Sequence, residues 1–87
     1  MTSEEIKAIY EKFAQDIGYE IIEIEADHVH ALIKIHSDRY GLFQMRENGS
    51  VILLHSWSEL PPARMAFWLF CFESPEEVIK KWEKENR

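Results

Sequence analysis

The stretch YEIIEIEADHVHALIKIH, Tyr19 to His36, decides how this chain folds. Apolar and polar residues alternate through most of it, the mark of strands whose side chains point to opposite faces. Two strands, Tyr19–Glu25 and His28–His36, are expected around a short turn at Ala26-Asp27. A two-residue loop sets Glu25 opposite His28, Ile24 opposite Val29, Glu23 opposite His30 and Ile22 opposite Ala31. On that register Ile22, Ile24, Val29, Ala31, Ile33 and Ile35 point inward. Glu23, Glu25, His28, His30, Lys34 and His36 point outward, and the agreement between the two strands specifies the pairing.

Two further strands follow, Tyr40–Arg46 and Val51–Ser56, around Glu47-Asn48-Gly49-Ser50. Asn-Gly favours a tight hairpin because both residues tolerate positive φ. A three-residue connection at Ser37-Asp38-Arg39 sends Phe43, Met45, Ile52 and Leu54 inward and Gln44 outward. Before the strands, Ile6, Ile9, Tyr10, Phe13 and Ile17 form one helical stripe. Thr2 and Glu5 suit a capping box at its start, with Ser3 as the alternative cap, and Gly18 suits its end.

After the strands, Pro61-Pro62 opens a segment, Ala63 to Phe72, that is apolar nearly all round. A helix is expected there, although Met65 to Phe72 has the length and aromatic content of a buried strand. Ser74-Pro75-Glu76-Glu77 starts a last helix, with Val78, Ile79 and Trp82 as its buried stripe. The expected fold is α+β: a four-stranded antiparallel meander flanked by one N-terminal and two C-terminal helices. The order is α-β-β-β-β-α-α, in one domain over residues 1–87.

Composition narrows the functional classes. Of 87 residues 46% are hydrophobic and 13% aromatic, so a packed core is expected rather than disorder. The net charge is −6, and the one basic cluster, Lys80, Lys81 and Lys84, is interleaved with Glu83 and Glu85. Direct nucleic-acid binding, which needs clustered Lys and Arg, is therefore not expected. The longest apolar run, Met65 to Phe72, is too short to span a bilayer. The single cysteine, Cys71, can form no internal disulfide and reads as a small buried hydrophobe. With a polar, acidic N-terminus, the expected setting is cytoplasmic.

Candidate chemistry is sparse. His28 and His30 share a strand face about 6.6 Å apart. With Glu23 and Glu25 opposite they could hold zinc, or they could be solvated cross-strand Glu–His pairs. Structural zinc sites usually contain cysteine, and this strand pair has none. His36 lies about 20 Å along the strand from His30, and His55 falls two strands away. No cofactor is expected, because Gly18, Gly41 and Gly49 make no phosphate-cradling loop. Nor is catalysis, since Cys71 sits in an apolar run and Ser37, Ser56 and Ser58 lack a glycine-rich elbow.

The outer sheet face is more informative. Tyr19, Ile21, Leu32, Leu42, Val51 and Leu53 mix there with His30, Lys34, His36, Gln44, Arg46 and His55. A solvated face carries fewer large apolar groups, so either the C-terminal region wraps over it or another chain does. Tyr19, Ile21, Leu32, Lys34, Leu42, Gln44, Arg46, Leu53 and His55 are the expected contacts for a protein partner or a homodimer. The aromatic set Trp57, Phe67, Trp68, Phe70 and Phe72 reads as core packing or as a partner anchor. The leading expectation is a small acidic, non-enzymatic protein-binding module of inhibitor, immunity or adaptor type, possible in a phage or mobile element. A ligand or metal site at His28 and His30 is one alternative. A designed scaffold is the other; the helix caps and Asn-Gly suit it, and Cys71 and Pro61-Pro62 suit it less.

Overall fold

A computed structural model describes residues 2–25, 29–36, 38–71 and 74–85. Helix α1 (Ser3–Ile17) leads into strands β1 (Glu20–Glu25), β2 (His30–His36), β3 (Arg39–Met45) and β4 (Val51–Trp57). Helices α2 (Leu60–Cys71) and α3 (Pro75–Glu85) complete the α+β fold. The strands form one antiparallel sheet in the order β1-β2-β3-β4. The segment with a rival strand reading is thus helical, and it begins at Leu60, with Pro61 and Pro62 in its first turn. Prolines fit there because first-turn N–H groups have no intrahelical acceptor.

The helix ends follow the sequence closely. The Thr2 hydroxyl accepts from the Glu5 backbone N–H at 3.2 Å. At the other end Gly18 is left-handed, φ 87°, and donates to the Ala14 carbonyl. Ile6, Tyr10 and Ala14 are the residues of α1 that become fully buried.

The sheet register differs from expectation at each hairpin; at the middle one Arg39 is not a loop residue but opens β3 and pairs with His36, with a register shift between Lys34 and His36. Glu25 pairs with His30, Ile24 with Ala31 and Glu23 with Leu32. Val29 therefore precedes the ladder rather than pairing with Ile24, and Ala26, Asp27 and His28 fall outside the described residues. Val29 takes φ 53°, a conformation disfavoured for a β-branched residue. Its carbonyl is held by the Tyr10 hydroxyl at 2.7 Å and by the Met45 N–H at 3.0 Å. Further along β1 the register shifts between Ile21 and Glu23, leaving Ile22 as the extra residue of a bulge.

A further shift comes from the β3–β4 turn. Only Gly49 of the Asn-Gly pair has positive φ, 85°. Arg46 N–H donates to the Ser50 carbonyl, and Gly49 N–H donates to the Arg46 carbonyl. This is a three-residue loop closed by a left-handed glycine rather than a two-residue turn. It pairs Met45 with Val51 and turns Val51 and Leu53 to the side of Met45 and Phe43. A bulge at Leu54 then restores His55 and Trp57 to the side of Leu42 and Tyr40. Ile52 pairs with Gln44, so Ile52 and Leu54 do not join Phe43 and Met45 as expected.

Apolar clusters form on both faces of the sheet. On one, Ile6 and Tyr10 of α1 pack with Ala31, Ile33, Phe43 and Met45. On the other, Ala63, Phe67, Trp68 and Cys71 of α2 and Val78 of α3 pack with Leu32 and Leu42. Of the two covers weighed for the outer face, the C-terminal helices are the one present. Phe67 and Trp68 are fully buried, Trp57 packs partly buried against them, and Phe70 stays half exposed. Phe72 lies outside the described residues. Ile79, expected in the buried stripe of α3, is exposed, while Val78 is buried.

Leu32 is 0% exposed and Leu53 is 51% exposed. Leu32→Ala is expected to cost about 2–5 kcal/mol in urea unfolding, the range for a buried leucine with a residual cavity. Leu53→Ala is expected to cost less than about 1 kcal/mol. Equal losses at the two positions would contradict the two-sided burial.

Candidate functional site

The expected docking residues do not form one surface. Leu32 and Leu42 are buried beneath α2, which removes them from any partner's reach. Tyr19 and Ile21 lie on the other side of the sheet, packed against the α1 cluster, because the bulge at Ile22 reverses the faces of β1. Lys34 and Gln44 are half-buried on the α2 side, and Arg46 is exposed. Leu53 is exposed on the α1 side, whereas exposed His55 stacks edge-on with Trp57 on the opposite side. Covering both faces separates the set.

The histidine site is also rearranged. His30 is 8% exposed, opposite Glu25 rather than Glu23, with its ring 4.6 Å from that of Phe70. His28 lies outside the described residues. Among the described residues no group of three or more His, Cys, Asp or Glu side chains is placed to hold a metal ion. Nor is any described helix long and apolar enough to cross a membrane.

Glu23 has a different role from the expected cross-strand partner of His30. Its Oε2 accepts from the Trp68 indole Nε1 at 2.8 Å, and its Oε1 meets Lys81 Nζ at 3.3 Å. Lys81 Nζ lies 5.2 Å from the Trp68 ring centroid and the Arg64 guanidinium carbon lies 5.9 Å from it. A half-buried carboxylate with an indole donor and an ammonium beside it is well satisfied. Glu23 thereby ties β1 to both C-terminal helices.

Concave surface lies at several places, among them the end of the sheet at Val29 and Gln44–Asn48 and the open edge of β1. Among the described residues no strand pairs with the outer side of β1. An open groove of about 570 Å³ runs along it, between β1 and the exposed side of α1. Ile21, Ile22 and Ile24 line its floor, and Ser3, Glu4, Lys7 and Glu11 form its wall, with Glu23 beside them. Lys7 reaches Glu11 at 3.9 Å across one helical turn. Two wall carboxylates, Glu4 and Glu11, thus accompany one ammonium in the groove, and Glu20 and Glu25 add charge at the strand ends. The unpaired N–H and C=O groups of an edge strand accept another strand. The sequence signal for this site was the run EIIEIE, whose three half-buried isoleucines cannot all face one side of a regular strand.

The other edge, β4, contains no charged residue in VILLHSW and exposes Leu53 and Leu54. Comparison of the chain with family models, with curated proteins and with solved structures gave no match.

Cys71 is sealed in the α2 cluster. Burial chiefly, then the nearby Glu25 and Glu23 carboxylates, push its thiol pKa up to about 12, with Lys81 opposing. Free cysteine ionises near about 8.5, so the thiol adds stability that is complete below that pH and lost as pH rises toward the folded value. The unfolding free energy is expected to fall from about pH 8.5 upward. Cys71→Ala should flatten that slope between about pH 8.5 and 10, below the range where Tyr10, also raised by burial, contributes. Parallel slopes for the two proteins would show that Cys71 ionises as freely folded as unfolded.

Proposed function

We propose that this chain is a non-enzymatic protein-binding module that captures a partner segment along the open edge of β1. One observation carries this reading: an edge strand with free backbone groups beside an apolar, acid-rimmed groove. Such an edge binds an extended segment by main-chain hydrogen bonds, while the flanking pockets select its side chains. An inhibitor, immunity protein or adaptor works by this kind of surface complementarity. The buried, protonated thiol of Cys71 supports a binding role over nucleophilic catalysis. The net charge of −6 favours a protein partner over nucleic acid. A cytoplasmic setting suits a chain whose one cysteine has no internal partner.

Self-association is the second reading, favoured by β4. An uncharged edge exposing Leu53 and Leu54 can meet its own copy without the repulsion that three glutamates would cause at β1. A β4 homodimer leaves the β1 edge open, so the two readings are compatible.

Panning a randomised peptide library on the isotope-labelled protein tests the principal reading. Selected peptides are expected to shift the amide resonances of Ile21 to Ile24 most strongly. Binders that map only to α2 and α3, or only to β4, would overturn it. Sedimentation at increasing protein concentration reports the second reading separately.

A further inference from the structure

The β1 groove also specifies the chemistry of its occupant. Resting on the reading of β1 as a binding edge, we propose that the occupant is a basic, extended segment of a different protein. It adds as a fifth strand beside β1, turning its Lys or Arg side chains toward α1 and its apolar side chains toward Ile22.

The two sides of the β1 edge differ in a way that suits such alternation. Ile21 and Ile24 lie on the α1 side, with Glu4 and Glu11 above them on the helix. A long cationic side chain there lays its methylene stem along the isoleucines and its head group against the carboxylates. Lys7 partly occupies Glu11, at 3.9 Å, which leaves Glu4 as the less engaged counter-ion for a guest. On the α2 side the bulge presents Ile22, which packs toward the C-terminal cluster. Glu23 on that side is already engaged by the Trp68 indole and Lys81. An apolar guest side chain suits this side, because a second cation would compete with Lys81 for one carboxylate.

Charge selects the guest at longer range too. β1 itself carries Glu20, Glu23 and Glu25, and the whole chain carries −6. That field attracts a basic segment and repels an acidic one. A second copy of this chain does not meet the description. Its open edge strands, β1 and β4, contain no Lys or Arg. Lys34 and Arg39 sit on β2 and β3, which are paired on both sides. Lys80, Lys81 and Lys84 belong to a helix, not an extended segment.

The test uses three synthetic peptides of about eight residues, titrated into the labelled 87-residue protein. One alternates Lys with Val, one alternates Glu with Val, and the third is the Lys-Val peptide with alternate peptide nitrogens methylated. The Lys-Val peptide is expected to shift Ile21 to Ile24 and to bind at least about tenfold tighter than the Glu-Val peptide. Methylation is expected to weaken it at least about tenfold by removing strand hydrogen bonds. Raising NaCl from about 50 to about 500 mM should weaken it several-fold. Glu4→Lys combined with Glu11→Lys, both at exposed positions, should weaken it about tenfold while leaving the circular dichroism spectrum unchanged.

Equal affinity for the Glu-Val peptide, indifference to methylation, or no binding of the Lys-Val peptide would overturn the proposal. If panned peptides footprint on β1 yet are neutral or acidic, the basic-strand proposal fails and the edge reading stands. If no panned peptide footprints on β1, the edge reading fails as well.

Discussion

Leu32 and Ile33 are neighbours on β2, and both are fully buried. Adjacent strand residues point to opposite faces, so this is possible only when both faces of the sheet are covered. The helices are placed to meet that demand, with α1 on the side of Ile33 and α2 and α3 on the side of Leu32. The described residues form three helices, and all three pack on the two faces of the sheet. What the sheet itself still offers a partner is its perimeter.

The bulge at Ile22 links this architecture to the proposed site. It places Glu23 on the side of α2 and α3, where the indole of Trp68 and the ammonium of Lys81 fix it. It places Ile21 on the side of α1. One extra residue thus ties the sheet margin to both C-terminal helices and also gives the groove an apolar floor. Bulges at sheet margins commonly re-aim side chains in this way. Glu23 is best understood as a structural carboxylate; Glu4 and Glu11 on the exposed wall are the ones with capacity for a guest.

Much of the architecture was legible because it rests on local chemistry. Thr2, Glu5 and Gly18 bound α1 through hydrogen bonds within one turn of the chain. The Ser74-Pro75-Glu76-Glu77 start of α3 and the four alternating segments were readable on the same grounds. The registers were less legible. Asn48-Gly49 reads as a two-residue turn, but the structure uses Gly49 alone in the left-handed region, and one added loop residue exchanges the faces of β4. At the first hairpin, Val29 holds a conformation its own side chain disfavours, because Tyr10 and Met45 bind its carbonyl from distant parts of the chain. No local pattern reports such long-range bonds. The excess of apolar residues on the supposed outer face did signal a cover, and the cover proved to be α2 and α3. The binding set drawn from that face was therefore dispersed, and the β1 groove became visible only with the helices in place.

Amide hydrogen exchange, resolved by residue, tests this account most directly. It predicts slow exchange through β2 and β3, near the limit set by global unfolding, and fast exchange at alternate amides of β1, whose outer N–H groups meet solvent. Uniform protection along β1, or rapid exchange in the Ala31–Ile33 segment, would contradict a sheet sealed on both faces and open at that margin.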